Sequence, residues 1–385
     1  MIVALVIFWY GLVPVAGALV SRHFWRVFRR RFDDLRLRPL LDYGNYSKKT
    51  GGVFRFVGGF ESVTDGHTLW IRSDSLTIPV ALAGAQTYVL PVQEEGLLPG
   101  AFDPGEEAPE RVRWDRVSTL TEGAKVFVGG ALMLRDKRWT FASTPEAPLM
   151  VIFYDGPDRS LAVRTIRAGR HRNEYWNSIT PYALILGALC LIFEAVSFLP
   201  RPAFRLTAIT AFAAVFVPLY PLVPPGFLFT VMYRRLWWRA RIFRAYRDLA
   251  RLPLKYFKSG EHEARLPDGE KYGFVRYDSL STDVKKGIPL LIPEEEKRKK
   301  AEWYVFGVLP QESEVSTEPW VPSEPWVPAE PLDNFATFGA LPGDPEVLAR
   351  RYTRNAYGFE IISWLLLLAG IGLNAFFIRL IIFMV

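Results

Sequence analysis

Four stretches of this chain are nearly free of charge, and each is long enough to cross a bilayer. Residues 1–20 and 206–232 carry no charged side chain, and 179–199 carries only Glu194. Residues 360–385 begin with Glu360 and otherwise carry only Arg379. About 20 apolar residues in a helix cover the hydrocarbon core, so the sequence predicts four transmembrane helices at these positions. The third holds Pro218, Pro221, Pro224 and Pro225. It should be kinked or partly unwound, with protein covering the freed carbonyls. The rest of the 385 residues must be soluble: the chain is 50% hydrophobic and 23% charged, with mean hydropathy +0.10. Spans mixed with polar domains fit that balance.

Arginine marks the segment ends. Residues 22–38 and 234–251 hold seven Arg each, 159–172 hold five and 350–354 hold three. The short loop 200–205 has only Arg201 and Arg205. By the positive-inside rule, both long polar segments face the cytoplasm and both termini face outward, as in a multi-pass inner-membrane protein. Segment 1 has no Lys or Arg before its apolar run and many after it, the reverse of a signal peptide, so it is expected to be a retained anchor. Net charge is +7. Arg clustered beside spans suits anionic lipid headgroups rather than nucleic acid, although topology alone also explains it.

The chain reads as two tandem units. "YGLVPVAG" at 10–17 resembles "YPLVPPG" at 220–226. After each comes a basic amphipathic helix, 21–40 and 233–253. Phe24, Phe28, Phe32 and Leu35 match Trp238, Ile242, Tyr246 and Leu249 at a common offset of 214. That 4, 4, 3 spacing is one helix face. Weaker echoes follow: "GVFRF" (52–56) with "GFVRY" (273–277), "DSL" (74–76) with "DSL" (278–280), and "VLPVQEE" (89–95) with "VLPQESE" (308–314). The stripe could lie in the headgroup layer, with Phe24, Trp25, Phe28, Arg29, Arg30, Trp237, Trp238, Arg239 and Ile242 as its membrane-surface residues, or pack on the β domain beneath it.

Between the spans, residues 41–178 carry recurrent short apolar runs split by turns, which predict an antiparallel β-sandwich or partly open barrel. Residues 254–315 predict a smaller β-rich domain that needs the first to complete its core. Residues 316–332 write Glu-Pro-Trp-Val-Pro twice. In polyproline II geometry, the six-residue period puts Trp320 and Trp326 on one face, roughly 19 Å apart. The strip is either a partner-binding rod or a stiff spacer. A linker, 333–359, leads back to the last span. The fold class is therefore an α+β membrane protein: two tandem units of span, basic helix, β domain and span.

Reaction chemistry is not legible. The chain lacks a P-loop, H-E-x-x-H and G-x-S-x-G pattern. With Cys190 as the only cysteine, an intrachain disulfide and a Cys-based zinc site are excluded. His171 and Glu174 are spaced for one helix face but sit among Arg residues. Glu194 and Arg379 both fall in the outer part of the bilayer and could form an intramembrane pair, with Asn374 nearby, or snorkel separately.

"LTEGAKVFVGGALML" (120–134) and "RAGRHRNEYWNSITPYALILGALCLIF" (167–193) resemble the GIDE-type, beside-a-membrane domain of membrane-anchored ubiquitin ligases and their bacterial relatives. The resemblance covers residues 1–200 at most. It implies a non-catalytic module held against the bilayer; with a single Cys there is no RING domain and ligase activity does not carry over. The expectation is a non-enzymatic scaffold or assembly factor needing no cofactor, with anionic lipids and a protein partner, and with room for a homo-oligomer. The competing readings are a transporter or channel accessory and a lipid-active enzyme.

Overall fold

The computed structural model describes residues 1–47, 51–73, 76–90, 110–113, 124–135, 137–156, 158–167, 175–255, 263–265, 271–276, 292, 304–308 and 339–384. The chain divides into two units that alternate along the sequence. One takes Met1–Val27, His171–Arg244 and Thr353–Val385; the other takes Phe28–Arg170 and Ala245–Tyr352. The protein is α+β, with a β-barrel and three long apolar helices.

The second unit contains the barrel. Its strands are β1 (Gly52–Thr64), β2 (Thr68–Arg72), β3 (Thr77–Ala81), β4 (Gln86–Val89), β5 (Glu110–Val112), β6 (Lys125–Arg135), β7 (Arg138–Ala142) and β8 (Met150–Tyr154). They run in the order β1-β2-β3-β7-β6-β8-β4-β5. β1 also pairs with β6, from Gly52↔Leu132 to Gly59↔Lys125, closing β1, β2, β3, β7 and β6 into a five-stranded ring. Every pair in the ring is antiparallel except β3 with β7. Closure joins the first and last strands of the ring, while β8, β4 and β5 continue the sheet outward from β6. Phe56, Leu69, Ile71, Val80, Val128 and Phe141 fill the interior. Of the two expected forms, sandwich or barrel, the chain takes the barrel.

β6 and β8 are buried on both faces, so they read in sequence as unbroken apolar runs rather than alternating ones. The cover on the outer face comes from the end of helix α1 (Ile2–Arg36). Phe32 meets Phe127 edge-on at 5.4 Å, and Phe28 tilts against Tyr88 at 4.6 Å. Leu35 lies over Gly129, where a Cβ would stand 2.9 Å from Leu35 Cβ. Arg31 donates to Gln86 Oε1 at 2.8 Å and to the Pro148 carbonyl. The buried guanidinium of Arg55 donates from Nε to the Arg38 carbonyl at 2.6 Å, fastening the chain just after α1 to β1. A short helix α2 (Tyr43–Ser47) precedes β1.

After β8 the chain turns at Gly156, φ 80°, and enters α3 (Asp158–Arg167), which buries Leu161 and Ala162. Tyr154 donates to Asp158 Oδ1 at 3.0 Å, and Lys125 Nζ lies 2.8 Å from the same oxygen. Burial, then the Asp158 charge, pushes the Tyr154 phenol well above its ordinary value.

A second, four-stranded antiparallel sheet has the order β12-β11-β10-β9, from β9 (Glu263–Arg265), β10 (Lys271–Arg276), β11 (Tyr304–Val308) and β12 (Gly339–Leu341). β11 pairs with β12 at Tyr304↔Leu341 and Val305↔Ala340; β6 pairs with β8 at Lys125↔Tyr154 and Val126↔Phe153. The sequence pairing of 89–95 with 308–314 does not match this arrangement. β4, with Val89, lies between β8 and β5, whereas β11, with Val308, lies between β10 and β12, so these two valines hold different places; 91–95 and 309–314 are outside the described residues. Residues 74–75 and 278–280, where the two "DSL" strings fall, are outside the described residues, as are 309–338 with Trp320 and Trp326.

The first unit is helical. Its spans by length and composition are α1, α4 (Thr180–Phe198) and α7 (Pro345–Met384). α1 widens to a π turn at Ile7–Leu12, just before Pro14, which has no N–H to return to the preceding turn. Asn177 Nδ2 donates to the Pro14 carbonyl at 3.3 Å. Gly187 of α4 admits Trp9 and Tyr10, since a Cβ there would come within 2.7 Å of both.

Segment 206–232 is not one helix. It breaks into α5 (Arg205–Val215), a 3-10 turn at Val217–Leu222, and α6 (Gly226–Ala250). The prolines expected to kink it break it outright, and the loosened carbonyls find partners. Asn374 of α7 donates to the carbonyls of Tyr220 (2.6 Å) and Val223 (2.8 Å). Thr230 donates to the Pro221 carbonyl at 2.6 Å, and the Tyr220 hydroxyl donates to Ala213 at 3.0 Å.

Candidate functional site: an aromatic and guanidinium cluster

Within the first unit, α1, α6, α7 and the turn before α4 bring polar and aromatic side chains together. Trp237 is the centre. Residues four apart share a helix face, so Arg241 reaches back over the Trp237 ring, its guanidinium 4.4 Å from the centroid. Arg22 of α1 approaches the same ring at 6.0 Å and the Tyr175 ring at 5.6 Å. Tyr233 stacks on Trp237 at 5.8 Å, and Tyr175 and Trp364 meet edge-on at 4.8 Å. Trp237, Tyr233 and Arg241 are buried. The Trp237 indole nitrogen has no hydrogen-bond partner among the described residues.

One turn further along α6, Arg244 pairs with Glu360 of α7. Phe243 and Phe359 stack beside them at 5.5 Å. Glu360 is 8% exposed, and its Oε1 accepts no hydrogen bond from the described residues. A desolvated cation over a ring is worth up to about 2 kcal/mol, and a broken buried pair costs about 3–5 kcal/mol. The cluster therefore binds three helices to one another. It offers no activated nucleophile, and among the described residues no group of three or more His, Cys, Asp or Glu is placed to hold a metal ion.

The stripe residues divide. Phe28, Trp237 and Ile242 are buried, so their apolar partner is protein rather than headgroups. Phe24, Arg30, Trp238 and Arg239 are exposed, and Trp25 and Arg29 are half-buried. The reason is rotation: residues three to four apart share a face, and only one face meets the packed interior. Glu194 and Arg379 are not joined by an ion pair. Arg379 is exposed with its guanidinium 5.5 Å from the Phe383 ring. Glu194 is 5% exposed, on the α4 face that also buries Ala183, Gly187, Leu191 and Ala195, and its Oε2 has no hydrogen-bond partner among the described residues. That face packs within the bundle, whereas Arg379 points out of it. Asn374, considered for these charges, instead caps the broken segment.

Sequence reading missed Tyr175, Trp364 and Glu360. The i, i+4 spacing of Glu360 with Trp364, matching Trp237 with Arg241, was the available signal. No known protein family, curated protein or solved structure matches this chain.

Proposed function

We propose that the protein is a non-catalytic multi-pass membrane scaffold or assembly factor that presents β-rich domains at the cytoplasmic face to recruit a protein partner. One observation carries this reading. α1 is a single helix that begins as a span and ends by contributing Phe28, Phe32 and Leu35 to the barrel's outer core. The apolar run at the start of that helix and the barrel-packing residues at its end follow one another in sequence with no loop between them.

Two tandem units are supported by a correspondence that sequence reading did not use. At a shift of 187 residues, Gly156 falls on Gly343, Leu161 on Leu348 and Ala162 on Ala349. Both glycines have positive φ, both begin the turn from strand to helix, and both Leu-Ala pairs are buried. The strand before each turn follows the same shift, Phe153 and Tyr154 of β8 falling on Ala340 and Leu341 of β12, and each is paired antiparallel to an earlier strand, β6 or β11. On this reading each unit is a span, a basic helix, a β domain and a returning span, and 206–232 crosses the bilayer as a broken fourth span. The accessory-transporter alternative draws on that break. However, four of its loosened carbonyls already accept hydrogen bonds from the protein, which leaves those groups no free role as ion ligands.

The test is site-specific photo-crosslinking in intact cells from positions 320 and 326. A discrete adduct, lost when the other tryptophan is replaced by alanine, supports recruitment through the Pro/Trp strip. Turnover of lipid by the purified chain, with no adduct from either position, would replace the scaffold by an enzyme.

A further inference from the structure

The guanidiniums of α6 fall into two populations. Those turned inward have partners: Arg241 lies over Trp237, and Arg244 pairs with Glu360. Arg234, Arg235 and Arg239 are exposed and make no hydrogen bond, ion pair or ring contact among the described residues. They follow an apolar surface on the same helix, where Phe227, Leu228 and Met232 are 48%, 66% and 51% exposed. Trp238, 39% exposed, stands among them. From Met232 to Trp238 is about 9 Å along the axis. Apolar residues, then an indole, with snorkelling arginines at the same depth, is the order of a hydrocarbon-to-headgroup boundary. α1 repeats it on a smaller scale, with Val20 and Phe24 exposed before Arg26.

We infer that the outward face of α6 around Trp238 is a docking site for anionic phospholipid headgroups, whose phosphates are held by Arg234, Arg235 and Arg239. This rests on the reading of the chain as membrane-spanning. Charge complementarity selects the headgroup, and continuity with the exposed apolar face selects a bilayer over an acidic protein. The buried members of the stripe, Trp237 and Ile242, take no part.

The experiment is native mass spectrometry of the full chain released from nanodiscs containing equal phosphatidylglycerol and phosphatidylcholine. The wild type should retain phosphatidylglycerol preferentially. Each cation near such a surface contributes about fivefold, so R234Q/R235Q/R239Q should reduce the preference on the order of a hundredfold. The lysine triple variant, which keeps the charge, should retain most of it, and an unchanged thermal unfolding transition in detergent for both variants reports that the fold is intact. Equal retention of both lipids by the wild type, or an unchanged preference in the glutamine variant, overturns the site. Extraction of the chain from cell membranes by alkaline carbonate would instead overturn the spanning reading.

Discussion

Gly129 is where the anchor helix meets the barrel, and one added side chain should separate them. A Cβ there would stand 2.9 Å from both Cβ and Cδ1 of Leu35. Gly129→Val is expected to lower stability by about 1–3 kcal/mol through overpacking. Combining it with Leu35→Ala should reduce that penalty, a non-additivity that thermal unfolding in detergent would measure. Additive losses would mean the two positions are not in contact. Tyr154 makes a second residue-level prediction. Its phenol is held neutral by burial and by Asp158, so ionisation favours only the unfolded chain. Its contribution is complete below about pH 10 and falls by about 1.4 kcal/mol per pH unit above it. Tyr154→Phe should flatten that alkaline decline in unfolding curves collected across the range. Glu360→Leu alone should destabilise by about 3 kcal/mol by stranding Arg244, and Arg244→Met/Glu360→Leu should recover most of it. A double variant no better than the single would show that the pair is not the reason.

At the scale of elements, the apolar stripe of α1 was legible because a helix that buries one face must repeat apolar residues every three or four positions. Its partner was not, since lipid and a β-sheet satisfy the same pattern. Tertiary packing chose the sheet for Phe28, Phe32 and Leu35. The broken segment shows the converse. Four prolines announce that 206–232 is kinked or partly unwound, but nothing local says where its carbonyls turn. Asn374 lies 151 residues beyond Val223, whose carbonyl it holds. Replacing Asn374 with Leu keeps bulk and removes the donor; the Tyr220 and Val223 carbonyls then keep only their backbone bonds from Val223 N (3.2 Å) and Phe227 N (3.0 Å), and each hydrogen bond lost is worth about 0.5–1.5 kcal/mol. Lower thermal stability in detergent is expected, and protease cutting near Pro224 should increase. Unchanged behaviour on both counts would show that this amide does not hold the break together.

For the whole molecule, the proposed topology makes a prediction about sides. In a Cys190→Ser background, Gly105→Cys and Ser313→Cys should resist an impermeant maleimide in intact cells, and Ala203→Cys should react. Labelling of position 105 or 313 would invert or recount the spans. The sequence alone determined that there are long apolar helices and β-rich segments between them, because solvation of side chains by hydrocarbon or water is read residue by residue. It also identified the cationic ends of the apolar segments and the faces that had to find a partner. Only the tertiary structure decided that β1 closes on β6 into a ring, that Phe28, Trp237 and Ile242 of the two basic helices are buried in protein, and that Glu194 and Arg379 stay apart. Those outcomes depend on which distant surfaces meet, and a contact between segments far apart in the chain leaves no periodic trace in either one.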